Sequence, residues 1–245
     1  MLHIILLVSL VIFFTVGAVL GVKQTKKQLK ANIDEKARVQ HYAAITFSMW
    51  IPVIALFGVV AFSDITFADI GFTSLSFNQN AAITLVILVL AFLWTAFCLY
   101  RITAFLVSAK HRQRRNKILL NKANGSDYYD LVDSRLMTPR TKKEKRWWFG
   151  VSLTTGICEE IIFRGVFLYL IASIFPNISV YLVFMIAVIL FGMGHFYQGT
   201  KGLIITTLMG AFLASIYIVS GSLIIVIVMH FLTNFANAFE YSDKK

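Results

Sequence analysis

Long apolar runs broken by short polar segments dominate the chain. Runs of about 18 residues or more lie near 4–22, 43–62, 81–107, 147–175, 179–197, 202–219 and 222–240. Backbone N–H and C=O groups at bilayer depth have no water to bond, so each run is predicted to be a helix. The predicted fold class is all-α, a polytopic membrane helix bundle of about seven transmembrane helices. The chain divides into 1–107 (helices one to three), a basic cytoplasmic loop 108–146, and 147–240 (helices four to seven). The first run lacks a basic n-region, is long for a signal peptide and precedes no A-x-A site. It therefore reads as a retained helix.

Composition agrees with the pattern. The 245 residues are 58% hydrophobic and 14% charged, with a mean hydropathy of +0.75. Soluble domains are less apolar and carry more charge, and a chain this apolar is not disordered. The net charge of +11 looks at first like a nucleic-acid footprint. Lys and Arg outnumber Asp and Glu 12 to 4 in 110–146 and 6 to 2 in 23–38, and the rest of the chain sums to −1. The basicity is thus confined to two linkers between apolar runs, and no nucleic-acid partner is expected.

The linkers 63–80, 176–178 and 220–222 contain no Lys or Arg. The positive-inside rule puts 23–38, 108–146, Lys201 and the Lys244–Lys245 tail on the cytoplasmic side. An odd number of spans then leaves the N-terminus outside and the C-terminus cytoplasmic, in what is expected to be a bacterial plasma membrane. Trp147, Trp148 and Phe149 read as an interfacial aromatic belt at the entry to the fourth helix. The basic loop reads as a solvated topology determinant, with recruitment of anionic lipid or an acidic substrate segment as the functional alternative.

The candidate chemistry lies in polar residues buried inside apolar runs. The fourth run holds Glu159, Glu160 and Arg164 near its middle. Three unpaired charges there would cost roughly 8–10 kcal/mol on the insertion scale, so they must face protein or water. Glu160 and Arg164 are i, i+4 neighbours and can neutralise each other. Glu159 points about 100° away. It is the carboxylate left over, a candidate general base or metal ligand. His195 closes the fifth run, and His230 lies in the seventh with Asn234 one turn further along the same face. Helical rise puts Glu159, His195 and His230 roughly 18, 9 and 15 Å from the cytoplasmic side, which is compatible with one site. His3, His41 and His111, at run ends or in the loop, receive no role. Cys98 and Cys158 lie inside apolar runs and imply no disulfide; Cys158 reads as a small buried thiol rather than a nucleophile.

Three motifs fall in order in successive runs: EEIIFR from Glu159 to Arg164, FGMGH from Phe191 to His195, and HFLTN from His230 to Asn234. They fit E-E-x-x-x-R, F-x-x-x-H and H-x-x-x-N, and residues 147–240 resemble the CPBP family of intramembrane proteases. That family, also called Abi, includes the type II CAAX prenyl endopeptidases. The resemblance implies that Glu159 activates water with help from His195. It implies that Glu160 and Arg164 form the supporting pair, and that His230 and Asn234 stabilise the oxyanion. The implied substrate is a membrane-associated peptide or protein, and the implied settings include bacteriocin self-immunity and peptide maturation. Two schemes share these residues. In one, Glu159, His195 and His230 hold a zinc ion with an open position for water. In the other there is no metal, which the absence of H-E-x-x-H favours. The competing readings are a proton- or ion-coupled transporter using the same carboxylates and histidines, and a non-catalytic membrane scaffold or immunity protein.

Overall fold

The structure, a computed structural model, describes residues 1–72, 80–125 and 127–239. Part of the 63–80 linker, Glu240 at the end of the seventh predicted run and the Lys244–Lys245 tail lie outside the described residues. Among the described residues every regular element is helical, as the apolar runs require.

Helix α1 (Leu2–Lys30) continues past its apolar run, and Lys27 and Lys30 in its last turn complement the negative end of the helix dipole. Helices α2 (Glu35–Ser48) and α3 (Trp50–Ala61) form one rod interrupted at Met49. Pro52 explains the interruption, because it has no N–H for the Ser48 carbonyl and its ring crowds that carbonyl. Helix α4 (Ala81–Val107) starts at Asn80, whose side chain caps the Ile83 N–H.

The stretch 108–146 is not the solvated loop the sequence predicts. Ser108 caps α5 (Ala109–Ala123), and α6 (Tyr128–Val132) runs into a π-helical turn over Asp133–Met137. Lys122 pairs with Asp133 at 2.9 Å, and Arg135 donates to the Leu29 carbonyl at the end of α1. Basic character and folded structure coexist because these side chains reach carboxylates and helix-end carbonyls.

Helix α7 (Lys142–Glu160) opens on a capping box between Thr141 and Glu144. A π-helical segment, Ile161–Phe167, and α8 (Leu168–Ile174) continue the same rod. Trp148 is not part of an aromatic belt. It is buried, its ring meets Tyr42 edge-on at 5.3 Å, and its Nε1–H donates to the Asn234 carbonyl at 2.8 Å. Trp148 thus lies on the face of α7 that meets α2 and α11. Helices α9 (Val180–Gly194) and α10 (Gly199–Ser220) form a hairpin through the 3-10 turn Phe196–Gln198. The turn needs glycine at Gly199, where φ is +81° and the Tyr128 ring closes the space a side chain would occupy. Helix α11 (Leu223–Ala236) ends in the 3-10 turn Asn237–Phe239.

Among the described residues, four helical stretches are long and apolar enough to cross a membrane: Leu2–Lys30, Glu35–Ala61, Ala81–Val107 and Phe196–Ser220. The fifth predicted run, 179–197, is cut short. Helix α9 has 15 residues, about 22 Å against a hydrocarbon core of about 30 Å, because the chain turns back at His195. The rod α7–α8 is the centre of the bundle, packed by α1, α2, α9 and α11, while α4 lies outside against α10 and α11. Ile162, Phe167, Leu170, Leu213, Leu223 and Val226 are among its fully buried residues. The outer helices do the reverse: α1 exposes Ile4, Ile5 and Val8, and α4 exposes Phe92 and Leu93. Such apolar faces fit hydrocarbon, not water. The one rod carrying three charges in its middle is the one most fully enclosed by protein.

Candidate active site

The close approach of α7 and α11 begins at Gly156. A Cβ at that position would stand 3.1 Å from the Phe231 nitrogen and 3.3 Å from the Ile227 carbonyl oxygen. With no side chain between the backbones, the next turn of α7 sets Glu159 and Glu160 beside His230. Glu160 is fully buried and accepts from Arg164 at 3.1 Å, the i, i+4 pair expected from spacing. The same Oε1 meets His230 Nδ1 at 2.6 Å, across 70 residues of sequence. Arg164 lies within the π-helical segment, where it also donates to the Gly210 carbonyl at 2.8 Å and stacks over the Phe191 ring at 4.4 Å. The guanidinium is therefore held on three sides.

Glu159 is the carboxylate without a strong partner, as the spacing predicts. Its Oε2 is buried and has no hydrogen-bond partner among the described residues. Two ring nitrogens face it, His195 Nε2 at 3.8 Å and His230 Nε2 at 4.0 Å. The hydrogen bonds at the far side of each ring fix what these nitrogens can do. His195 Nδ1 lies 2.9 Å from the Phe191 carbonyl oxygen, which can only accept, so Nδ1 carries a proton. Its Nε2 in the neutral ring is then a lone pair aimed at Glu159. His230 Nδ1 likewise faces a carboxylate oxygen. Asn234 is placed one turn beyond His230, and its Nδ2 donates to Thr155 Oγ1 at 3.0 Å.

All six sequence-derived site residues therefore lie in one neighbourhood of α7, the π segment, α11 and the α9–α10 turn. His195 sits in that turn, just past α9, and not within a helix as its run implied. The sequence alone does not single out Thr155, places Trp148 at the interface, and sets Phe191 in the F-x-x-x-H motif without a role. Thr155 holds the Asn234 amide, Trp148 holds the Asn234 carbonyl, and Phe191 both fixes the His195 tautomer and roofs Arg164. Thr155 was detectable, standing one turn before Glu159 on the same face.

A cavity of about 480 Å³ opens onto the cluster. Glu159, His195, His230 and Asn234 line it, with Thr155, Tyr197 and the α1 face of Phe14, Gly17, Ala18 and Gly21. A second hollow of about 490 Å³, almost wholly apolar, lies on the other side of Phe14, Ala18, Phe163 and Gly194, with Lys23 and Lys26 at its edge.

One carboxylate and two imidazoles are a donor set of the kind that holds zinc, but here they stand wider apart than in a closed site. A tetrahedral zinc site with nitrogen and oxygen ligands has ligand–ligand edges of about 3.4 Å, shorter than the 3.8 and 4.0 Å found here. Among the described residues no group of three or more His, Cys, Asp or Glu side chains has metal-holding geometry.

A helical bundle with long apolar outer faces, and a neutralised carboxylate, a free carboxylate and two oriented histidines beside a cavity, defines the class: a membrane protein with a buried polar centre. Residues 143–236 match the family described as type II CAAX prenyl endopeptidase Rce1-like. The match spans α7 to the end of α11 and contains every motif residue. No curated protein and no solved structure matches the chain. The Rce1-like family is a family of CAAX-type membrane proteases, so the resemblance drawn from the three motifs is met at family level.

Proposed function

We propose that the protein is an intramembrane endopeptidase that hydrolyses a peptide bond in a membrane-associated peptide or protein. The observation that carries the reading is Glu159 Oε2, unpartnered and faced by the lone pair of His195 Nε2 at 3.8 Å. A water between them donates one hydrogen to each and turns an oxygen lone pair toward the cavity. As that oxygen attacks the scissile carbonyl, Glu159 takes the proton and later delivers it to the leaving amine. Proton transfer of this kind contributes about 10²–10⁴-fold.

His230 and Asn234 supply the electrostatic half. With Nδ1 donating to Glu160, a protonated His230 keeps an Nε2–H for the carbonyl oxygen as it gains charge. Such a proton also leaves Glu159, Glu160, Arg164 and His230 with no net charge between them. Asn234, braced by Thr155 and Trp148, offers the second donor through the amide hydrogen that Thr155 does not hold. Glu160 and Arg164 touch no substrate in this scheme; they orient His230 and α7. No step uses a metal.

The orientation that fits the basic segments has the N-terminus outside and the site opening toward the cytoplasm. Peptide maturation, or self-immunity to a bacteriocin-like peptide, is the setting we propose. Proteoliposomes holding the protein should cleave an S-farnesylated CAAX peptide or an amphipathic leader peptide in preference to a soluble peptide of the same sequence. Cleavage should survive extraction with a zinc chelator, as followed by mass spectrometry of the products. Turnover of soluble peptides alone would count against membrane-side substrates, and loss on chelation restored by zinc would overturn the metal-free scheme.

A further inference from the structure

Behind the wall that α1 gives to the catalytic cavity lies the second hollow, about 490 Å³ in volume. Phe14 and Phe163, with ring centroids 4.8 Å apart, stand between the two spaces together with Ala18 and Gly194. The proposed chemistry has no use for this hollow. Val11, Val19 and Val22 of α1 line one side of it, and Phe167, Leu190 and Met193 the other. Val19, Met193 and Phe196 are exposed along it, so it opens on the outside of the bundle. It exists because α9 stops at Gly194 and the chain turns back, while α1 runs on to Lys30.

Its depth in a bilayer follows from α1. No Asp, Glu, Lys or Arg occurs from Leu2 to Val22. That rise of about 30 Å matches the hydrocarbon core. Lys23 and Lys26 then fall at the headgroup layer and Val11 near the mid-plane. From Val11 to Val22 is about 16 Å, against about 15 Å for the hydrocarbon of one leaflet. The hollow therefore has the length of one leaflet, apolar along its walls and basic at its mouth.

The lining says what suits it. A wall of Val, Leu, Met and Phe gives water nothing to bond. The one hydroxyl in it, Thr15, is already turned back onto the Val11 carbonyl at 2.7 Å. At the mouth, Lys23 and Lys26 stand one turn apart on the same face of α1. Both are exposed, and neither has an ion-pair partner among the described residues.

We propose that this hollow binds one phospholipid with an anionic headgroup, drawn from the leaflet on the basic side. An acyl chain lies against Phe163, Phe167 and Leu190, and the headgroup phosphate meets Lys23 and Lys26. Basic groups at the headgroup end of a crevice between spanning helices favour anionic lipid over zwitterionic. The lipid fills space that α1 leaves open, since only Leu10 and Thr25 of its 29 residues are buried. It thereby braces the wall of the catalytic cavity without entering it. The site rests on the membrane reading of the helices and not on the protease reading.

The test titrates the full-length protein in detergent with phosphatidylglycerol and, separately, with phosphatidylcholine of the same chains. Native mass spectrometry counts the bound lipid. One phosphatidylglycerol should bind at least about tenfold more tightly than phosphatidylcholine and should raise Tm as it saturates. Lys23→Gln combined with Lys26→Gln should abolish the preference and leave weak binding of both lipids. Val19→Trp, which fills the groove from the lipid side, should weaken both. Phosphatidylglycerol carrying a diazirine in its acyl chain should label the wild-type protein within 11–26 and 190–196, as located by peptide mapping. Equal affinity for the two lipids, a preference that survives the lysine changes, binding untouched by Val19→Trp, or label no denser there than on α4 overturns the site. Displacement by glycerol phosphate alone would also overturn it, since the lysines would then hold free phosphate. Displacement by a farnesylated CAAX peptide would overturn it too, by making the hollow part of the substrate path.

Discussion

At the scale of single residues, the account turns on how each polar side chain is occupied. Glu160 has Arg164 and His230, Glu159 has neither, and that asymmetry assigns their roles. Half of it was legible in the sequence, because i, i+4 spacing alone pairs Glu160 with Arg164. The His230 contact was not, since no local rule links positions 70 residues apart. Nor could spacing show which nitrogen of His195 is free; the Phe191 carbonyl decides that. Thr155 makes a specific prediction. It accepts from Asn234 while donating to the Val151 carbonyl, so Thr155→Val keeps the shape and releases the amide. The variant should lose about 1 kcal/mol of stability. Its kcat should fall about tenfold with KM nearly unchanged, because a misplaced oxyanion donor acts in the transition state. Steady-state kinetics on a cleaved peptide decide the point, and an unchanged kcat removes Asn234 from the mechanism.

At the scale of helices, the site depends on two backbone features. One is the contact at Gly156, and the other is the turn that ends α9 so that His195 reaches inward. Apolar periodicity locates the rods well, yet it could not register either feature. A run of hydrophobic residues looks the same whether it crosses the bilayer or turns back within it. The same limit applies to 108–146, where charge patterning marks the side of the membrane but hides α5, α6 and the caps that build them. Gly156→Ala should force α11 away from α7 by a few tenths of an ångström, because the opposing atoms are backbone. We expect at least a tenfold loss of kcat/KM and a lower Tm. Gly150→Ala on the same helix is the control. The nearest neighbouring atom to its Cβ is 4.0 Å away, so activity should match the wild type and Tm should equal it or rise slightly, Ala being the better helix former.

Across the whole molecule, two buried charge clusters do different work. The one around Glu159 is left partly unsatisfied and opens on a cavity. The other, Arg38 with Glu144, is fully engaged. Glu144 Oε1 takes the Arg38 guanidinium and Oε2 takes the Arg140 and Thr141 amides. That second cluster fastens α2 to α7 and so holds the wall of the cavity in place. Its partners are 106 residues apart, and neither drew notice in a reading centred on apolar runs. Arg38→Met leaves the Glu144 charge buried alone and should cost about 3–5 kcal/mol. Adding Glu144→Gln keeps the capping box while removing the charge, so the double variant should regain much of that loss in thermal unfolding. If the single and double variants are equally destabilised, the interaction is packing and not charge.

The central claim is that Glu159 activates water for peptide hydrolysis, and one comparison tests it directly. Wild-type protein and Glu159→Gln are reconstituted side by side in proteoliposomes containing a pH-sensitive dye. Product formation from a membrane-associated peptide is followed by mass spectrometry. The account predicts cleavage by the wild type, a loss of about 10²-fold or more in Glu159→Gln with the protein still folded and inserted, and no difference in proton flux. Equal cleavage by both proteins, or a proton flux that vanishes in Glu159→Gln while no peptide is cut, would contradict it.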